Sequence, residues 1–261
     1  MGGPGFRFPG PVCQEGPLDG GTSALTLMPS PTSLGCNAAV DGPQTFHPAA
    51  PGTELIDPCL EAMNRNIEQR MLKAADAYYA KEDFRWFFTY AHAKITEQIN
   101  TNLTAFQRPN ALLRFNIHFA EEFLKAVAGE PHEKWKKAFG VCKAFEKGGS
   151  STLFLVGEVE LCGATMANVH IHIDLAAAIR DVGCLPPADY ANMLVFVNRG
   201  ALAATIRLRG KAVGVAETLF NQITAPFIGL EVKAWRNTVY QNACNSLVPD
   251  VEPAFSRRVR Y

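Results

Sequence analysis

The sequence lacks an excess of charge of either sign, because 25 Lys and Arg residues balance 25 Asp and Glu residues. Without a net positive charge the protein has no global field to attract nucleic acid, and without a net negative charge nothing points to a cationic partner. Three arginines near the C-terminus, at positions 257, 258 and 260, are a local feature typical of a solvated terminus. We therefore predict no nucleic-acid partner.

Long apolar runs are also missing. The chain does not begin with Lys or Arg followed by an apolar stretch, so no secretory signal is predicted. The longest apolar stretch, residues 153–179, contains two Glu, two His and one Asp, which makes it too polar for a membrane span. The seven cysteines are odd in number and include no C-x-x-C pair, so neither a zinc ribbon nor a disulfide framework is expected. These absences predict reduced cysteines and a cytoplasmic protein without a membrane span.

Signals for β-structure are absent as well, since the chain has no Asn-Gly hairpin and no regular alternation of strand and turn residues. The glycine-rich phosphate-binding motifs, the G-x-S-x-G nucleophile motif and the C-x-x-C-H haem motif are missing too. Apolar residues instead recur at helical spacing after Asp57-Pro58, a pair typical of an N-cap and a first helical residue. The sequence therefore predicts an all-α fold, a single bundle of about six to eight helices.

Composition divides the chain into three parts. Residues 1–53 hold 9 of the 17 prolines and 10 of the 21 glycines, carry few charges and show no periodicity, which predicts an extended arm. Residues 54–248 form the predicted helical bundle, and residues 249–261 form a basic tail. Because the arm is poorly charged and contains apolar residues, we expect it to pack on its own bundle or on a neighbouring subunit. A homo-oligomer held by the arm is therefore one hypothesis.

Residues 167–175 place four polar side chains in an otherwise apolar run: Asn168, His170, His172 and Asp174. Burial of such groups costs free energy unless each is hydrogen-bonded or bound to a ligand. As a helix, the run brings His170 and Asp174 to one face and turns Asn168 and His172 nearly opposite. As a strand, all four would share one face, as in the His-x-His pattern of metal-dependent hydrolases. The small flanking residues and the lack of alternating strands favour the helix.

A second His and carboxylate pair lies four residues apart, at His118 and Glu122. Two helices that each present such a pair could meet across the bundle core and hold Zn, Mn or Fe, because imidazole and carboxylate suit these ions. Chance produces about 0.6 such pairs in a chain of this composition, so two are only a mild excess. Two interpretations stay open: a divalent metal held by His170, Asp174, His118 and Glu122, or a metal-free site in which His170, Asp174 and Asn168 are catalytic.

The run from Asn168 to Leu175 resembles the Asn-Ala-His-Ile-Asn-Leu-Asp-Leu signature of an uncharacterised, mostly bacterial helical family, classified as a domain of unknown function. The resemblance extends over roughly residues 83–247 and implies a helical fold with Asn168, His170 and Asp174 as the residues of interest. Where the family pattern has a second Asn and an upstream His, this chain has His172 and Cys162. If that upstream His is functional, the resemblance implies altered or lost chemistry. Further matches occur in the same order: Thr96, Phe119-Ala120, Trp135 and Ala234-Trp235.

Two functions are consistent with these features. The first is an enzyme acting on a small-molecule ligand in a mostly apolar pocket, with His170 as general base or metal ligand and Asp174 orienting or co-ligating it. The second is a non-enzymatic structural or assembly protein, in which the N-terminal arm lies on a neighbouring subunit and the polar cluster only fixes the core.

Overall fold

The computed structural model describes residues 51–129, 131–147, 152–211 and 232–244. The predicted all-α fold is confirmed, because every regular element within these ranges is helical. All four ranges belong to one compact unit, residues 40–261. Except for its last three residues, the arm predicted for residues 1–53 lies outside the described residues, and so does the tail predicted for 249–261.

The first helix begins where the sequence predicts. The Asp57 side chain accepts hydrogen bonds from the backbone N–H groups of Cys59 and Leu60, at 2.8 Å and 3.4 Å, and Pro58 is the first helical residue. None of the helices in the described ranges has the length and hydropathy needed to cross a membrane. In chain order the helices are α1 (Pro58–Ala80), α2 (Arg85–Thr101), α3 (Pro109–Val127), α4 (Glu133–Lys147), α5 (Thr152–Val169), α6 (Ala176–Val182), α7 (Pro187–Lys211) and α8 (residues 232–244).

Helix α2 is central and packs against α1, α5 and α7. Two glycines on its neighbours permit close approach. A Cβ at Gly200 of α7 would lie 2.5 Å from the carbonyl oxygen of Ala91, and one at Gly163 of α5 would lie 2.5 Å from the ring of Phe87. Because glycine alone has no Cβ, α5 and α7 can lie close to α2 at these points. The three helices thereby bring their side chains around a common space in the core.

Within the described ranges two disulfides join pairs of cysteines, and Cys59 is disulfide-bonded as well. Cys142–Cys162 joins α4 to α5, and Cys184–Cys244 joins the segment before α7 to α8. The expectation of reduced cysteines is therefore wrong for these pairs. The paired residues are 20 and 60 positions apart, so only the fold brings them together. Disulfides are typical of oxidising compartments, so the cysteines no longer support the predicted cytoplasmic location.

Candidate functional site

The central polar run forms a π-helix, His170–Leu175, that is continuous with α5 and α6. The helical interpretation is therefore confirmed over the strand, although the backbone has π rather than α geometry. Single π-helical turns inside α-helices are rare and are frequent at functional sites. His170 and Asp174 are both buried in this turn, whereas His172 is exposed. The two histidines thus lie in different environments, as the helical interpretation predicted.

His170 and Asp174 form a buried pair in which the His170 Nδ1 lies 2.6 Å from the Asp174 Oδ2. Trp135 of α4 donates its indole N–H to the same carboxylate, at 3.3 Å and 3.2 Å from the two oxygens. All three side chains are almost fully buried. Asp174 therefore orients the imidazole and Trp135 fixes the carboxylate. The Nε2 of His170 is the ring nitrogen left without a partner among the described residues.

Aromatic side chains enclose the imidazole of His170. Phe119 of α3 stacks on it with a centroid separation of 3.7 Å and an interplanar angle of 17°. Phe88 of α2 and Phe123 of α3 meet the same ring edge-on at 5.4 Å and 5.8 Å. Burial among these rings lowers the pKa of His170 well below its ordinary value, and the charge of Arg236 lowers it further. The ring is therefore held in its neutral form.

The pKa of the Asp174 carboxyl group is shifted in the opposite direction, upward. Burial raises the pKa of Asp174 to about 7, although the hydrogen bond from Trp135 acts against the shift, and the negative charge of Glu122 adds to it. Above that pH the carboxylate accepts the Nδ1–H of His170, so that Nε2 carries a lone pair and can act as a base. Below it the protonated carboxyl donates to Nδ1, and Nε2 then carries the proton. The pair therefore sets the chemical role of Nε2 near neutral pH.

His92 of α2 is a second buried imidazole, with its centroid 4.6 Å from that of His170. Neither of its ring nitrogens has a hydrogen-bond partner within the described part of the chain. Burial lowers the pKa of His92 well below its ordinary value, and the neighbouring His170 and the charge of Arg236 lower it further. Two neutral imidazoles with unpaired nitrogens thus lie side by side in the core. Polar atoms that stay unpaired in a core cost free energy, which makes these two rings a candidate site.

A cavity of about 80 Å³ lies against these two rings. Its wall is built from α2, α3, α5, the π-helix, α7 and α8, and most of the side chains on it are apolar. Among the described residues, the polar side chains of the wall are those of His92, Asn116, His170 and Arg236. A concave, mostly apolar surface with a few polar groups is the usual composition of a small-molecule site.

The fold brings together only part of the residues that the sequence singled out. His170 and Asp174 are in contact, whereas Asn168, His118 and Glu122 are half-buried and lie outside the described lining of the cavity. Glu122 instead forms a salt bridge within its own helix. Among the described residues no group of three or more His, Cys, Asp and Glu side chains could hold a metal ion. The hypothesis of a metal shared by the two pairs therefore gains no support from the fold.

Three contributors to the site come from elements that no local pattern links to the π-helix. Trp135 lies on α4, and His92 lies on α2. Arg236 of α8 was missed, although a signal existed. It lies midway between Val232 and Tyr240 at helical spacing, and all three are buried. A charged residue on an apolar helical face would have marked it as a candidate.

Comparison with known proteins places the chain in a family. A model described as a family of unknown function, DUF5995, matches residues 65–260, which is more than half of the chain and includes all the site residues named above. The chain belongs to this family. The predicted membership of an uncharacterised family is thus confirmed for this DUF5995 protein, while a bacterial origin and the signature run stay predictions. No curated protein and no solved structure matches it. The function of this DUF5995 member has to be argued from the site itself.

Proposed function

We propose that this DUF5995 protein is an enzyme that acts on a small, largely apolar molecule with His170 as general base. One observation carries the proposal, namely the unequal state of the two ring nitrogens. Nδ1 lies 2.6 Å from the Asp174 carboxylate, whereas Nε2 is buried and unpaired among the described residues, on a side chain that forms part of the cavity wall. A carboxylate-oriented imidazole with one available nitrogen is the arrangement that general bases use in several unrelated enzyme classes.

In the proposed mechanism the neutral ring of His170 takes a proton at Nε2 from the substrate or from a water molecule. The imidazolium that forms is stabilised by the Asp174 carboxylate across the Nδ1–H bond. Trp135 holds this carboxylate in place, and the stacked ring of Phe119 fixes the plane of the imidazole. Because the surroundings are apolar, the attraction between imidazolium and carboxylate is stronger than it would be in water.

Hydrolysis of p-nitrophenyl acetate tests the reactivity of His170, because its small acetyl group suits a cavity of about 80 Å³ and the released nitrophenolate is followed by absorbance. We expect a saturable rate above pH 7 that His170→Ala lowers by about 10²-fold or more. His172→Ala is the matched control, since His172 lies on the same π-helix and is exposed. This control should leave the rate unchanged.

Equal rates in the unaltered protein and in His170→Ala would contradict the proposal, because hydrolysis would then occur at other groups. Asp174→Asn adds a second check. An amide in place of the carboxylate cannot stabilise the imidazolium by charge, so the rate should fall even if the fold is retained. The metal-dependent version of the enzyme stays a prediction. It is tested by metal analysis of the purified protein with His170→Ala as reference.

The non-enzymatic alternative depends on the N-terminal arm, nearly all of which lies outside the described residues. An arm that packs on a neighbouring subunit, and the homo-oligomer that it implies, therefore stay predictions. Light scattering of the full chain and of a variant without residues 1–53 tests both. An unchanged oligomeric state in the shortened protein would rule out the arm as an assembly device.

A cytoplasmic location also stays a prediction. Thiol titration of the denatured, unreduced protein tests it against the disulfides of the described cysteines. A protein that stays in a reducing compartment should titrate all seven cysteines as free thiols. If at least four of the seven cysteines do not titrate, as the pairs Cys142–Cys162 and Cys184–Cys244 require, the result would contradict a reducing compartment.

A further inference from the structure

Arg236 on α8 is a buried cation in the wall of the same cavity, with 3% of its surface exposed. Its Nε has no hydrogen-bond partner among the described residues. With the side chains that the structure describes, its guanidinium makes weak contacts: Nη2 lies 3.7 Å from the sulfur of Met193, and the group lies over the ring of Tyr190 at 5.2 Å from the centroid. Neither contact supplies a negative charge.

The position of Arg236 is nevertheless built into the fold. The Tyr190 hydroxyl donates to the backbone carbonyl of Arg236 at 2.8 Å. The ring of Tyr240, one turn further along α8, stacks on Tyr190 with centroids 4.1 Å apart. The disulfide between Cys184 and Cys244 attaches the end of the helix to the segment before α7. These contacts fix the backbone of α8 at Arg236, whose side chain forms part of the cavity wall.

The charges of the cavity wall do not balance. Guanidinium stays protonated at any accessible pH, and no Asp or Glu is among the described residues that line the cavity. The two imidazoles of the wall are neutral, and the Asp174 carboxylate lies behind His170, where it is bonded to that ring and to Trp135. A buried charge without a counter-charge among the described residues is unfavourable, which suits an anion that completes the site.

We infer that the cavity binds a small organic carboxylate with an apolar body, whose carboxylate pairs with Arg236 and whose body lies against the rings of Phe88 and Phe119. This inference rests on the proposed function, because it names the substrate class of the same pocket. The planar guanidinium forms two parallel hydrogen bonds to a carboxylate, which fixes the ligand's orientation. The remaining wall is apolar and therefore suits a hydrocarbon body.

The number of donors favours a carboxylate over a phosphate. One cation balances one negative charge, whereas a phosphate group offers more charge and more acceptor oxygens. The Asn116 amide adds little, since it already donates to Asn64 at 2.8 Å and to Thr96 at 3.3 Å, and the neutral imidazoles of the wall carry no positive charge. A monoanion with two acceptor oxygens therefore matches the site.

Isothermal titration calorimetry with sodium hexanoate and with 1-hexanol tests this inference. The two probes have the same chain length and differ in charge. The full-length protein should bind hexanoate saturably, with a dissociation constant about tenfold or more below that for hexanol. Arg236→Met removes the charge but keeps an unbranched apolar side chain, so it should abolish this preference. Arg180→Met is the matched control, because it removes the same charge from an exposed arginine and should leave the preference unchanged.

The comparison of hexanoate with hexanol in the unaltered protein needs no variant, so it decides the matter even if Arg236→Met does not fold. Equal affinities, or no saturable binding of hexanoate, would overturn the inference. So would a folded Arg236→Met protein that keeps the preference. Failure of the proposed function is distinguishable, since hexanoate would still bind through Arg236 while His170→Ala left p-nitrophenyl acetate hydrolysis unchanged. Conversely, His170-dependent hydrolysis without hexanoate binding would refute the inference of a carboxylate ligand and leave the proposed function standing.

Discussion

Replacement of His92 by phenylalanine tests whether the buried imidazole of His92 destabilises the folded protein. The ring of His92 is already surrounded by aromatic groups, with centroids 5.5 Å from Phe119, 5.8 Å from Phe123 and 6.0 Å from Phe88. Neither ring nitrogen has a hydrogen-bond partner in the described part of the chain. A phenyl ring of similar shape would therefore keep the packing and remove two unpaired polar atoms.

The expected magnitude follows from these contacts. A buried polar atom without a partner costs about 1–3 kcal/mol. The larger six-membered ring costs about 1–3 kcal/mol in a tightly packed core, but His92 lies on the cavity wall, so part of that strain can relax. We therefore expect His92→Phe to raise the free energy of unfolding by about 1–2 kcal/mol near pH 7.5.

The pH dependence provides a sharper test. Burial, together with the neighbouring His170 and the charge of Arg236, lowers the pKa of His92 in the folded protein, so the folded state excludes a proton that the unfolded chain binds below about pH 6.5. A lowered histidine pKa therefore contributes stability above that pH and loses it as the pH falls. In the phenylalanine variant this loss is absent. The stability gap between variant and unaltered protein should widen by about 1.4 kcal/mol per pH unit well below pH 6.5.

Urea unfolding followed by circular dichroism at about pH 7.5, 6 and 5 measures both effects. The titrations of the facing His170 and of Asp174 occur in both proteins and cancel to first order in the difference. His172→Gln serves as control, because it also replaces a histidine but at an exposed position outside the buried cluster. A constant gap for His92→Phe, or a lower stability of that variant at every pH, would refute the reasoning. His92 would then have to be charged or hydrogen-bonded in the folded protein.

Three further predictions concern the His170–Asp174 pair, the helix packing and the two histidines of the π-helix. Because burial raises the pKa of Asp174 to about 7, the hydrolysis rate should rise with pH through that value as the carboxylate forms; a flat profile in a stopped-flow or plate assay would contradict this. Thermal melts of two glycine variants test the helix packing. Gly200→Ala should lower stability by about 1–3 kcal/mol, since its Cβ would lie 2.5 Å from a backbone oxygen of α2. Gly140→Ala should raise stability by about 0.5–1 kcal/mol, because nothing lies within 4 Å of its Cβ. In urea melts His170→Ala should cost about 1–3 kcal/mol and His172→Asn little; equal costs would mean that both histidines belong to one site.

Local signals in the sequence determined the helices and the pairing of His170 with Asp174 in the site. Asp57 caps the first helix because its side chain can reach N–H groups only two and three residues ahead. Likewise, a spacing of four residues places His170 and Asp174 on one helical face whatever the helix packs against. Both predictions depend on distances along one segment, which the order of residues fixes.

The rest of the site depends on which helices are neighbours. Trp135 meets Asp174 across 39 positions of sequence, and the paired cysteines of α4 and α5 meet across 20. Arg236 reaches the cavity from α8, far from His92 on α2. Helical periodicity specifies which face of each helix is apolar but not the partner that covers it, because apolar contact is non-directional. The small volumes of Gly163 and Gly200, the disulfides and the packing of whole faces select the partners. The tertiary structure alone therefore decided that two neutral imidazoles and the guanidinium of Arg236 share a cavity.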